Sequence, residues 1–375
     1  MNAPAPTAPL FTPFALGSVT LPNRIVLSPM GQHSAIEGTA TDWHLMHLGQ
    51  FAVSGAGAVF TEATAIEPSG RISRGCLGLW SDEHARAFAR ISAFFAEYGS
   101  AKFGVQLYHS GRKGSMLKRW EARNFVPVEQ GGWPIEGPSA LPYHGRPEPL
   151  PFSRDRLREV RDNHVRAARL AESAGFDLIE LHAAHGYLLH QFLTPLANSR
   201  DDEYGGSLAN RMRFPLEVFD AVRAAFPPQK PVGVRVSCSD WADNGWTLEE
   251  TLEFAAALKA RGCAYICASA GGTTPDQHIE LSPGYQVPFA ERIKRDIGIP
   301  TMAVGLITEA EQANAIIAKD QADMVALGRA LLYDPRWPWH AADKLGVPLT
   351  YAPPYRGEYP NMRSTDRLKP GATKK

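Results

Sequence analysis

The chain of 375 residues carries little cysteine: four residues, at positions 76, 238, 263 and 267, with no CxxC pair and no regular spacing. That is too few for a disulfide framework and fits reduced thiols in a cytoplasmic protein. No sign of charge dominates, since 39 Lys+Arg face 39 Asp+Glu. This balance excludes a strongly basic nucleic-acid binder and an acidic solvating tail. Uncharged apolar runs of about 18 residues are absent, so no membrane span is expected. The opening MNAPAPTAPLFTPF has neither a basic n-region nor an apolar h-region and does not read as a secretory signal. There is no low-complexity linker, no G-x-S-x-G, no P-loop and no H-E-x-x-H. A single domain over 1–375 is expected, with a loose start at 1–9 and a frayed tail at 369–375.

What is there is 44% hydrophobic, enough for a large core. Eight short apolar runs recur, at 24–30, 58–65, 102–109, 177–184, 232–237, 265–270, 301–307 and 324–328. Their near-continuous apolar character suits parallel strands covered on both faces. Helical patterns alternate with them. Thr247 with Glu250 and Thr308 with Glu311 have capping-box spacing. Ser153 opens a helix that reaches about Ala174 before Gly175, and Ser207 opens one over 208–226, stopped by Pro227 and Pro228. Eight βα units predict a (β/α)8 barrel. The alternative, a doubly wound open sheet, usually carries G-x-G-x-x-G after its first strand, and none occurs. One connection is too long for a plain βα loop: 110–152, after the third strand. It would lie on the C-terminal face, where barrel active sites sit.

Three groups of residues could carry chemistry. His182, His185 and Tyr187 lie just past the fourth strand. A metal site would need another ligand; His190 is at hand, but H-x-x-H-x4-H without a nearby carboxylate is a poor set. A bland reading makes the histidines loop caps and the tyrosine core. The third reading is two imidazole donors gripping one oxygen, with the phenol beside them as proton donor. Next, Gly305 and Gly328-Arg329 close the seventh and eighth strands, the usual phosphate position in barrels. Glycine lets the backbone approach and Arg329 can pair with an anion. Last, Gln106 and Arg235 are polar residues within apolar strands and must find partners. A polar, partly anionic ring system over the barrel mouth would satisfy both.

Taken together, Asn23-Arg24 through Pro29-Met30, His182-x-x-His185-Gly186-Tyr187, the Asp201–Ser207 stretch DDEYGGS with Asn210-Arg211, and the glycines at 305 and 328 resemble the old yellow enzyme family of FMN-dependent ene-reductases, in its thermophilic-like branch. The likeness runs from about Leu10 to Tyr359. It implies FMN and a nicotinamide reductant, NADPH or NADH. It implies reduction of the C=C bond of electron-poor alkenes (enones, nitroalkenes, maleimides) by hydride from flavin N5. Ser28, Pro29, Met30, Gly31 and Ala63 would lie along the flavin. Gln106 and Arg235 would meet its pyrimidine edge, and Gly305, Gly328 and Arg329 its phosphate. His182 and His185 would bind the substrate carbonyl, and Tyr187 would protonate the product. His33 would line the substrate site. A homodimer or homotetramer is implied, with Arg356 reaching the neighbour's site.

Two positions depart from the branch pattern. Gly31 stands where a cysteine is common, which predicts empty space at the ring's edge. His33 stands where a tyrosine is common and is expected to project toward the ligand.

Overall fold

The eight apolar runs pair into one closed parallel barrel. The computed structural model describes residues 8–121 and 124–358, the last three as backbone only. The strands are β1 (Ile25–Leu27), β2 (Ala58–Ala65), β3 (Lys102–Tyr108), β4 (Leu178–Ala183), β5 (Val232–Ser237), β6 (Ile266–Ser269), β7 (Thr301–Ala303) and β8 (Met324–Leu327). Their hydrogen-bonded order is β6-β7-β8-β1-β2-β3-β4-β5, and β5 pairs with β6 to close the ring. The helices are α1 (Asp42–Ala52), α2 (Asp82–Tyr98), α3 (Arg154–Ser173), α4 (Leu188–Leu193), α5 (Leu208–Ala225), α6 (Leu248–Ala260), α7 (Val287–Ile297), α8 (Ala310–Ala318), α9 (Arg329–Tyr333) and α10 (Trp337–Lys344). The fold is the expected (β/α)8 barrel, with the long insertion following β3.

Two apolar layers explain why the strands read as continuous hydrophobic runs. Outward residues pack under the helices. Inward ones, including Val26, Ala58, Phe60, Leu178, Met302 and Met324, form a separate inner core. A hairpin of Phe14–Leu16 and Val19–Leu21 adds Leu16 and Leu21 to that inner core. Its Ser18 N–H donates to the Gln229 carbonyl, just ahead of β5, so the hairpin closes the N-terminal end of the barrel. Burying each such leucine stabilises by about 1.5–3 kcal/mol. The opposite end is left for the site.

Three predicted caps are present. Ser153 Oγ accepts from Arg156 N, Ser207 Oγ from Asn210 N, and Thr247 with Glu250 forms a capping box. The fourth is not. Glu309 is the N-cap residue of α8, without a side-chain cap, because Thr308 is engaged elsewhere: its N–H donates to Gln312 Oε1 and its carbonyl accepts Trp337 Nε1–H at 2.7 Å. Strand ends also fall earlier than the apolar runs. The run 301–307 leaves the ladder at Ala303, because Gly305 (φ 106°) and Leu306 (φ 51°) turn the backbone toward the barrel mouth. Leu10, expected at the edge of a loose start, is fully buried and anchored by its N–H on Asn314 Oδ1. The tail 369–375 and residues 1–7 lie outside the described residues.

Candidate active site

Two adjoining cavities open at the C-terminal ends of the strands. One, of about 600 Å³, is lined among others by Gly31, Ala63, Gln106, His182, His185, Tyr187 and Arg235. The other, of about 280 Å³, is lined among others by Ser28, Arg235, Gln286, Gly305, Gly328 and Arg329. His185 and Arg235 border both.

The imidazole pair is built by the end of β4 and the turn after it. His182 is the penultimate residue of β4 and points inward. His185 then takes a left-handed backbone (φ 58°), which swings its ring back over the barrel mouth. Tyr187 caps α4 beyond. His182 Nε2 and His185 Nδ1 face each other at 3.3 Å. The partners behind them constrain the protons. His182 Nδ1 accepts the Ala184 N–H, so a neutral His182 carries its proton on Nε2. His185 Nε2 lies 2.7 Å from Ser269 Oγ: donating to that hydroxyl leaves Nδ1 to accept His182 Nε2–H, and accepting from it leaves the proton on Nδ1. In the second arrangement two N–H groups converge on one point, which an oxygen acceptor satisfies. Burial, with Arg235 next in effect, holds both imidazoles well below their usual pKa, so they are neutral donors at pH 7. Burial pushes the Tyr187 phenol up to about 12. Its ring centroid is 5.0 Å from that of His182.

His190 does not join this pair. It receives the Gly186 N–H on Nδ1 and lies 3.3 Å from Asp240, fully buried behind the cavity. Among the described residues, one group of His and carboxylates has metal-ligand spacing: Glu67, His109 and Glu136. The Arg156 guanidinium bridges Glu67 and Glu136, making this an ion-pair network.

Beneath the mouth the barrel interior turns polar. Gln106 and Glu180 are cross-strand partners, and Gln106 Nε2–H donates to Glu180 Oε1 at 2.7 Å. His182 and Arg235 are partners on the next pair of strands. Arg235 Nη1 donates to Ser28 Oγ at 2.9 Å. Burial raises the Glu180 carboxyl above its ordinary range, against the lowering effect of Arg235. A register shift in β2 between Phe60 and Ala63 aims Glu62 and Ala63 into the larger cavity.

Gly31 borders the larger cavity, and on one side of it stands His33. His33, held in a left-handed backbone (φ 51°), bonds Ser73 Oγ through Nδ1 at 2.7 Å. Its Nε2 would lie 3.3 Å from a Cβ at position 31. The imidazole thus occupies room that a larger residue at 31 would contest. Met30 borders neither cavity; its Sδ packs 3.4 Å from where a Gly328 Cβ would be. Pro29 lines the larger cavity. The side chain of Arg356 lies outside the described residues.

Several site residues escaped sequence reasoning. Glu180 shares inward parity with His182, a signal the strand LIELHA does contain. Glu62 sits in a bulge, and Lys113 in a Gly/Arg/Lys/Ser turn, where no pattern marks either.

The residues present suit a phosphorylated ring cofactor. Arg235 Nε and Gln286 Oε1 are buried without a hydrogen-bond partner, one at the junction of the cavities and one beside Gly305. Each would otherwise cost about 1–3 kcal/mol.

Comparison with known proteins agrees. The profile of the NADH:flavin oxidoreductase / NADH oxidase family, an FMN family, matches residues 9–347. An NADPH dehydrogenase of Geobacillus thermodenitrificans is 42% identical over 341 residues, covering 90% of this chain and 95% of the relative. Morphinone reductase superposes with a TM-score of 0.76 at 28% identity, covering 92% and 91% of the two chains. The old yellow enzyme homologue from Zymomonas mobilis gives 0.74 at 25% identity, covering 93% and 94%. This chain therefore belongs to the NADH:flavin oxidoreductase / NADH oxidase family, an old yellow enzyme-type oxidoreductase that uses FMN and a nicotinamide reductant.

Proposed function

We propose that this oxidoreductase reduces the C=C bond of electron-poor alkenes: enones, nitroalkenes and maleimides. The observation that carries the reading is the convergence of His182 Nε2 and His185 Nδ1, 3.3 Å apart, each with its other nitrogen engaged behind it. That pair is made for one oxygen, and an activated alkene has such an oxygen conjugated to its reacting carbons.

When bound, FMN supplies the hydride, received from NADPH or NADH. Gln106, Arg235, Ser28, Pro29, Gly31 and Ala63 would hold its ring, with Met30 packed behind. Gly305, Gly328 and Arg329 would hold its phosphate.

His182 and His185 bind the acceptor oxygen and stabilise the charge that grows there as the β carbon is reduced. Preorganised donors stabilise that charge more than the ground-state carbonyl, so they lower the barrier. Because both rings are neutral, they donate without giving up a proton. Tyr187 keeps its proton across the neutral range, since burial raises it to about 12, and delivers it to the α carbon. His33 lines the same cavity and limits the shape of the acceptor. We place the protein in the cytoplasm as a homodimer or homotetramer, with Arg356 contributing to a neighbour's site. No helix among the described residues is long and apolar enough to cross a membrane.

The deciding experiment is anaerobic. NADPH should bleach the yellow protein, and cyclohexenone should restore the flavin band while cyclohexanone forms. Bleaching without reoxidation by any alkene of a broad panel would sink the proposal.

A further inference from the structure

The turn after β3 delivers a cation to an unusual place. Lys113 Nζ donates to two backbone carbonyls, His185 O at 2.8 Å and Gly272 O at 2.7 Å. These belong to the loops after β4 and β6, which interlock. A Cβ at Gly186 would come within 2.5 Å of Gly272 O, and one at Gly272 within 2.7 Å of His185 Cα. Ser237 adds a second tie, accepting the His185 N–H and donating to Gly271 O. Arg112, next to Lys113, holds Thr273 O and Leu141 O in the same region. The cluster has no carboxylate among the described residues within ion-pair distance of Lys113. Its ammonium is flanked instead by the rings of Tyr143 and Tyr187, at 4.8 and 5.1 Å.

We propose that Lys113 is a positioning residue for the imidazole pair: by donating to the His185 and Gly272 carbonyls together it locks the loops after β4 and β6 and sets the direction of the His185 ring. This rests on the reading of that pair as the grip on the substrate oxygen. His185 has a strained left-handed backbone, and such a conformation persists only where its surroundings over-determine it. Lys113 supplies much of that determination without touching substrate.

The charge of Lys113 is a second handle. Burial first, then the neighbouring Arg146 and Arg112, bring its pKa down to about 7. The other groups facing it are the rings of Tyr143 and Tyr187 and the imidazoles of His182, His185 and His190, whose charged forms burial disfavours. Below pH 7 the ammonium is charged and favours an anionic oxygen nearby; above it that help fades.

The test uses the FMN-loaded protein and titrates 4-chlorophenol, a mimic of the oxyanion, by the change in the flavin's visible band. In wild type, affinity for the phenolate, corrected for the phenol's own ionisation, should weaken between about pH 6 and about pH 8. Lys113→Met should bind about tenfold more weakly at the lower pH and lose the pH step. Lys113→Arg keeps several donors but does not titrate, so it should restore most of the affinity and show no step. NMR of 15N-labelled histidine should show one tautomer for His182 and His185 in wild type and Lys113→Arg, and a mixture in Lys113→Met. Wild-type affinity in Lys113→Met, or a retained step in Lys113→Arg, overturns the proposal; should Lys113→Met fail to fold, the arginine variant decides. Wild-type protein that holds FMN but binds no phenol would instead overturn the substrate-site reading beneath it.

Discussion

The two ends of the site are built on different principles. The imidazole end is a mesh of side chains from β3, β4, β5, β6 and the insertion, in which each group is aimed by another: Ala184 and Ser269 aim the histidines, Ser73 aims His33, and Lys113 ties two loops. The other end, proposed to take the phosphate, is mostly backbone, with Gly305 turned by a left-handed φ of 106° and Arg329 largely exposed. A mesh distributes the consequences of any change, so its variants should be non-additive. A backbone cradle confines them to the group removed.

The largest expected break is Tyr187→Phe. Loss of a positioned proton donor should slow product formation by about 10²–10⁴-fold, while NADPH still bleaches the flavin. Rapid-mixing measurement of the two half-reactions separates the effects; equal slowing of both would remove Tyr187 from the protonation step. Because the phenol titrates near 12, wild-type reoxidation should show no loss of activity from Tyr187 deprotonation up to about pH 10.

His182→Ala and His185→Ala come next. Each removes one donor to the developing charge, a loss of about 2.7–4 kcal/mol in comparable sites, or about 10²–10³ in rate. The double variant should cost less than the sum, since each ring orients the other across 3.3 Å. FMN content, read from absorbance per protein, should stay at wild-type level in all three. Strict additivity would argue that the two ends are built alike.

Arg329→Ala probes the other end. FMN should bind about tenfold more weakly, with unchanged half-reaction rates in the protein that retains it. Equilibrium dialysis followed by kinetics checks both. Full retention would leave the cradle to backbone alone.

The smallest effect is expected at Gly31→Cys. A Cβ there meets His33 Nε2 at 3.3 Å, the end of a side chain that can give way. The stability loss should be about 1 kcal/mol, visible by thermal unfolding, together with a shift in flavin reduction potential. Both should shrink in a His33→Ala background, and a double-mutant cycle measures that coupling. An uncoupled result would mean that the imidazole does not occupy the room at position 31.

Much of the architecture was legible because it follows from local rules. Apolar runs such as LIELHA and VGVRVS can be buried on both faces only in a covered parallel sheet, and eight of them with helices between close into a barrel. Gln106 and Arg235 stood out as polar residues that an apolar strand does not need. The caps at Ser153, Ser207 and Thr247 were legible for the same reason. The cap at Thr308 was not, because its N–H goes to Gln312 and the helix begins one residue later, with Glu309 at the N-cap.

The residue types of the site and their order along the strands follow from local sequence, since strand parity and strand ends are short-range properties. Which of those residues meet was decided only by closure of the barrel. Glu180 beside Gln106, and Lys113 reaching the carbonyls of His185 and Gly272, join segments between 72 and 159 residues apart. A hydrogen bond or a van der Waals contact depends on distance in space to within a few tenths of an ångström, and no pattern along the chain encodes that.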